Sequence, residues 1–182
     1  GAKIDFIDIN PRTYNLDVDR LEKKLVKAKK SKKLPKVVVP VHFAGLPCEM
    51  KKIFELSKKY KFKIIEDASH ALGAKYNSED IGNCKYSDIA VFSFHPIKMI
   101  TTIEGGVATT NNQKYADQMS KLRTHGIVKE KFKMKRKKEG NWYYEQNDLG
   151  LNYRMNDVQA ALGLSQLKKL NMFLKKRREI AK

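Results

Sequence analysis

The sequence predicts an α/β fold, a mostly parallel sheet flanked by helices. Three observations carry this. Short apolar runs rich in β-branched residues, "KVVVPVHF", "KFKIIED" and "SDIAVFSF", recur along the chain. Segments with helical spacing of leucine and isoleucine separate them. Polar, chemistry-bearing residues stand just after the runs, where α/β sheets bind ligands beyond the carboxyl ends of their strands.

Taken in order, "KIDFIDI" alternates like a short strand. "NLDVDRLEKKLVKAKKSKK" follows as a helix, with Leu16, Leu21 and Leu25 on a helical repeat and Asp17 or Asn15 as its cap. "KVVVPVHF" is a run of the kind buried in a parallel sheet, with Pro40 interrupting it. "AGLPCEMKKIFELSKKY" supplies a turn, Pro47 near a helix start, and Ile53, Leu56 and Tyr60 on one face. "KFKIIED", "SDIAVFSF" and "GGVATT" read as three further strands, and "NQKYADQMSKLRTHG" as a helix ending at Gly126. "MNDVQAALGLSQLKKLNMFLKKRREIAK" closes the chain as one long helix or two. Asn156 or Asp157 is its cap, and Val158, Ala161, Leu162 and Leu167 its apolar face.

At 182 residues and 41% hydrophobic, the chain can bury a core as one domain, or one domain and part of another. No apolar stretch reaches the roughly 20 residues of a membrane helix, and "GAKIDFIDIN" lacks the order of a signal peptide, so a cytoplasmic location is expected. Cys48 and Cys84 lie far apart with no CxxC, which argues for reduced thiols rather than a metal site or a disulfide framework. The net charge of +18 raises the question of nucleic acid, but the excess is scattered lysine and arginine is scarce, so nucleic acid is disfavoured. One run, "KEKFKMKRKKEGNWYYEQ", interleaves basic and aromatic residues; its basic segment 129–138 reads as a mobile loop or as a contact for an anionic substrate.

The strand ends bring several candidates together: His42 after "VVVPV", Asp67 and His70 after "KIIE", and Ser93, His95 and Lys98 after "SDIAVF". Each has a plain alternative. His42 suits a core histidine, Asp67 a turn cap and Ser93 a backbone partner. Together, a carboxylate, a lysine and a hydroxyl match the needs of pyridoxal phosphate. The lysine bonds the aldehyde, the carboxylate keeps the ring nitrogen protonated, and hydroxyl and amide donors hold the phosphate. A strand-end Asp and Lys also suit phosphoryl transfer or a simple ion pair, although neither a Walker loop nor GxGxxG is present.

"EDASHALGA", "FSFHPIKMITTIEGG" and "GLNYRMNDVQAALGLSQLKKL", in this order, resemble the DegT/StrS sugar-nucleotide aminotransferases, a fold-type I pyridoxal-phosphate family. The resemblance runs through essentially the whole chain. It implies the aspartate aminotransferase-like large domain, with Asp67 as the partner of the ring nitrogen and His70 near the cofactor's phenolic oxygen. Ser93 is then a phosphate contact and Lys98 the Schiff-base lysine. Asn152 in "GLNYR" resembles an asparagine that reaches the phosphate from the neighbouring subunit, which implies a homodimer with its site at the subunit interface. "PVHFAGLP" and "NWYYEQNDLGLNYR" are most similar to the pseudaminic-acid branch of the family. That branch implies amino transfer from L-glutamate to the C4 ketone of a UDP-linked 4-keto-6-deoxy-N-acetylhexosamine, in the biosynthesis of nucleotide sugars for surface polysaccharide.

The same resemblance implies departures. Family members carry a strand and a phosphate-cradling turn before the segment that begins here, and a small domain after it. Residues 1–170 are thus expected to be a partial large domain, incomplete at both ends, and residues 171–182 the start of the helix leading to the small domain. Two alternatives follow: a dehydratase of the same family, against which Lys98 argues because those enzymes carry histidine there, and an inactive truncated remnant or basic polyanion-binding module.

Overall fold

A computed structural model describes residues 1–129, 134, 140 and 142–182. The chain divides into two compact units, Gly1–Asn111 with Val158–Lys182, and Asn112–Asp157. The elements of the first are α1 (Val18–Lys30), β1 (Val37–Val38), a single 3-10 turn (Phe43–Gly45), α2 (Met50–Tyr60), β2 (Lys63–Asp67), the hairpin strands β3 (Lys75–Tyr76) and β4 (Glu79–Asp80), β5 (Ile89–Ser93) and β6 (Gly106–Thr109). The second unit holds α3 (Gln113–Arg123), β7 (Ile127–Val128) and β8 (Glu145–Gln146). The chain closes with α4 (Asp157–Leu167) and α5 (Leu170–Ile180), so the closing segment is two helices. Among the described residues no helix is long and apolar enough to cross a membrane.

The main sheet has the order β1-β2-β5-β6, parallel across β1, β2 and β5, with β6 antiparallel to β5. One face is covered by α1 and α2. Asp17 caps α1 by accepting the Arg20 amide at 2.9 Å, and Val18, Leu21 and Leu25 are buried against Met50, Ile53, Leu56 and Tyr60 of α2. Asn15, the other candidate cap, is buried instead. Its side chain donates to the Leu46 carbonyl at 2.8 Å and accepts the Phe43 amide at 2.9 Å, tying the 3-10 turn to the start of α1.

Two strand expectations are corrected. "KIDFIDI" is not a strand: it makes one antiparallel bridge, Ile9 to Leu16, and Ile4 and Phe6 are 81% and 79% exposed. Alternation marks a backbone that could pair, but pairing needs a neighbouring strand, and among the described residues only Leu16 and Asp17 pair their backbone with this segment, at its end. "KVVVPVHF", read as a run buried in a parallel sheet, does pair in parallel with β2, but only alternate residues are buried: Val37, Val39 and Val41 are exposed while Val38, Pro40 and His42 are buried. Among the described residues, helices cover only one face there. Pro40 cuts β1 short because it has no N–H, but its carbonyl accepts the Asp67 amide at 2.9 Å, and the His42 amide donates to the Asp67 carbonyl at 3.0 Å.

The apolar face expected for the closing helices is also corrected. Val158 is 75% and Leu167 48% exposed, and no residue of α4 is fully buried. The side of α4 that meets the rest of its unit carries Gln159, Gly163 and Gln166, so polar contacts dock this helix and hydrophobic periodicity misreads its orientation.

In the second unit, Asn112 caps α3 by accepting the Lys114 and Tyr115 amides. Gly126, at φ +70°, ends the following turn, and a Cβ there would meet the Asp148 carbonyl at 2.0 Å. Asn152 bridges Thr124 in antiparallel fashion, and the Leu151 amide donates to the Leu122 carbonyl at 2.7 Å. "GLN" is thereby fixed to the end of α3. Most of the basic segment 129–138 lies outside the described residues.

Candidate functional site

Alternation along β2 and β5 sorts the candidate residues between two faces of the sheet. Asp67 pairs in register with Val91, and Ser93 lies two residues beyond Val91, so Asp67 and Ser93 share the face that α1 and α2 leave uncovered. Both stand at the carboxyl ends of adjacent parallel strands, the edge at which such sheets bind ligands. The Asp67 carboxylate accepts the Ser69 amide at 3.1 Å, which turns the chain sharply into Ala68–Ala71. Ser93 Oγ accepts the His95 amide at 3.3 Å.

Lys98 follows in the loop after β5, half-buried. Its amide donates to the His95 carbonyl at 3.0 Å, and its own carbonyl accepts Arg177 Nη2 at 3.1 Å. His70 lies on the turn after Asp67, edge-on to the Phe43 ring at 6.4 Å between centroids. Gly45 lets the 3-10 turn approach it closely: φ is +84°, and a Cβ would stand 2.8 Å from the His70 carbonyl oxygen. Asp67 and Ser93 thus end β2 and β5, and His70 and Lys98 lie on the connections that follow those strands, all in the first unit. Asn152 belongs to the second unit, where it is exposed.

The opposite face holds a polar cluster that sequence reasoning missed in part. His42 is fully buried and Glu66 is 3% exposed; His42 Nε2 meets Glu66 Oε2 at 2.8 Å, and Ser87 Oγ donates to the other carboxylate oxygen. Since His42 Nδ1 accepts the Cys48 amide at 3.2 Å, Nε2 carries the proton and donates to Glu66. His42 is therefore a core histidine, its plain alternative. Glu66 left one signal in the sequence: a charge at a position that alternation reserves for the core. Its partners lie 24 and 21 residues away, beyond any local pattern.

Burial, with the Glu66 charge adding to it and a hydrogen bond with the Leu16 backbone acting the other way, pushes the Cys48 thiol up to about 12. The unfolded thiol ionises near pH 8.5 while the folded one keeps its proton. Stability from this group is therefore complete below about pH 8 and falls as pH rises toward the folded value. Iodoacetamide at pH 8 is expected to label Cys48 in urea and to leave it largely unlabelled in the folded protein. Equal labelling rates, read by peptide mass, would contradict this burial.

A mostly parallel sheet with a carboxylate, a hydroxyl and a lysine at its carboxyl edge is the large-domain architecture of the pyridoxal-phosphate-dependent aminotransferases, and solved structures of that class share this fold. The chain belongs to the DegT/DnrJ/EryC1/StrS aminotransferase family, which it matches over residues 1–182. Pyridoxal phosphate is the cofactor of that family. The UDP-4-amino-4,6-dideoxy-N-acetyl-beta-L-altrosamine transaminase of Campylobacter jejuni is 46% identical over 181 residues, covering 100% of this chain and 44% of its own length. Helicobacter pylori PseC, an aminotransferase of pseudaminic acid biosynthesis, superposes with a TM-score of 0.83 at 36% identity, over 96% of this chain and 42% of its own. A Streptococcus pneumoniae protein solved in its PMP-form gives a TM-score of 0.80 at 29% identity, over 100% of this chain and 48% of its own. The chain thus spans a little under half the length of the relatives it matches.

Proposed function

We infer that the protein uses pyridoxal phosphate to move an amino group from L-glutamate to the C4 ketone of a UDP-linked 4-keto-6-deoxy-N-acetylhexosamine, making an amino sugar for pseudaminic acid or a related surface polysaccharide. The observation that carries this reading is the gathering of Asp67, Ser93 and Lys98 at one sheet edge, the first two on the uncovered face. The donor set fits the cofactor: a carboxylate for the ring nitrogen, a hydroxyl for the phosphate, a primary amine for the aldehyde carbon. When bound, the cofactor supplies an electron sink for the charge left as a substrate C–H bond breaks.

The chain's own residues do the rest. Asp67 holds a proton on the ring nitrogen by an opposite charge at close range. Ser93 orients the phosphate and His70 borders the phenolic oxygen. Lys98 Nζ would hold the cofactor's aldehyde carbon and, when free, would act as the base that takes a proton from the amino acid's α carbon and as the acid that gives one to C4 of the sugar in the second half-reaction. Asn152 completes the phosphate site from the neighbouring subunit of a homodimer. The choice of sugar is supported by relatives at 46% and 44% identity named for the altrosamine product, against 36% and 33% for the GDP-perosamine synthases.

The test is covalent capture. One portion of the protein is mixed with pyridoxal phosphate, reduced with borohydride and digested, and the modified lysine is mapped; a second portion, mixed with pyridoxal phosphate but neither reduced nor digested, is assayed with glutamate and the keto sugar for 2-oxoglutarate. Modification concentrated on Lys98 with release of 2-oxoglutarate is expected. Label spread over the surface lysines would reject the site.

A further inference from the structure

The loop that carries Lys98 is held from outside by its backbone. Its neck closes on Phe94, whose amide donates to the Gly105 carbonyl at 2.9 Å and whose carbonyl accepts the Thr102 amide and the Thr101 hydroxyl, each at 3.0 Å. Beyond the neck, three side chains from the closing helices grip main-chain atoms. Gln166 Oε1 accepts the Thr101 amide at 2.8 Å, Gln159 Nε2 donates to the Glu104 carbonyl at 3.0 Å, and Arg177 Nη2 donates to the carbonyl of Lys98 itself at 3.1 Å. Residues 159, 163 and 166 follow one another at four and three positions, so they share one face of α4. Between the two glutamines sits Gly163, where a Cβ would stand 2.8 Å from Thr102 Cγ2. Thr102 has little room to yield: it is 1% exposed, and its hydroxyl donates to the Glu104 carbonyl at 2.8 Å.

We propose that Gln166 and Arg177 are positioning residues for Lys98, setting the aim of its amine through the loop backbone. The proposal rests on the reading of Lys98 as the cofactor's lysine. Polar contacts of this kind constrain direction, and α4 has no buried apolar residue to hold the loop if they are lost. A small turn of the backbone at residues 98–101 is magnified at the end of a four-carbon side chain, and misplacement by about 1 Å can slow a reaction by about 100-fold.

Borohydride capture of pyridoxal phosphate, quantified at Lys98 over time, is compared for the protein and for Gln166→Ala, Gln166→Glu and Arg177→Ala, with urea unfolding midpoints measured on each. Gln166→Ala and Arg177→Ala are expected to slow capture at Lys98 by roughly tenfold or more without a matching fall in midpoint. Gln166→Glu keeps an acceptor for the Thr101 amide and is expected to restore most of the rate. Capture at the unsubstituted rate in both alanine variants overturns the proposal. So does a rate that merely tracks the fraction unfolded, or a Gln166→Glu variant as slow as Gln166→Ala. Failure of the unsubstituted protein to react at Lys98 overturns the reading of the site instead, so the two failures are distinguishable.

Discussion

Lys98→Ala is expected to abolish covalent capture of pyridoxal phosphate and to lower turnover by about 10⁴-fold or more, because in the proposed reaction one amine serves as both nucleophile and proton carrier. The fold is expected to tolerate the change. Lys98 is tied to its surroundings through its backbone, by its amide to His95 and its carbonyl to Arg177, and alanine keeps both bonds. A partly exposed side chain with no buried partner to strand gives an unfolding free energy within about 0.5 kcal/mol of the original. This contrast of lost chemistry with intact stability is the signature of a reagent rather than a structural residue. Arginine at the same position keeps the charge but supplies no free amine, so it is expected to be equally inactive. Turnover within tenfold of the unsubstituted protein in either variant would mean that another group does the chemistry.

Strand ends were the legible part of this protein. Runs of β-branched residues located β2 and β5, and simple alternation puts Asp67 and Ser93 on one face with Glu66 on the other. Three features resisted the same logic, each for a physical reason. "KIDFIDI" has the right alternation but no strand beside it among the described residues, so propensity alone gave a strand that is absent. In α4, apolar residues at helical spacing pointed to an apolar docking face, whereas the docking side is Gln159, Gly163 and Gln166, whose partners are main-chain atoms invisible to hydropathy. Alternation puts Glu66 on the core side of β2 but does not name its partners, because only tertiary structure brings His42 and Ser87 to it.

Glu66→Ala is expected to destabilise the first unit by about 2–5 kcal/mol, because two neutral donors lose their shared acceptor and a cavity opens. The Glu66 carboxylate lies one residue from Asp67 on the packed side of β2 and receives both the His42 Nε2 proton and the Ser87 hydroxyl. Alanine leaves both donors without their acceptor, His42 in a fully buried position and Ser87 in a half-buried one, and opens a cavity where the side chain was. Glu66→Gln keeps the volume and one acceptor but turns an amide N–H toward one of the donors. It is expected to lose less, about 1–3 kcal/mol. The His42 ring also accepts the Cys48 amide just before α2, so the same group links the end of β1, the end of β2 and the approach to α2. Pairing Glu66→Ala with His42→Ala should therefore give a double variant much less destabilised than the sum of the singles, a coupling on the order of 1–3 kcal/mol. Urea unfolding of the four proteins measures this directly. A loss below about 1 kcal/mol in Glu66→Ala, or strict additivity in the cycle, would show that the cluster fills space behind Asp67 without fastening the strand that carries it.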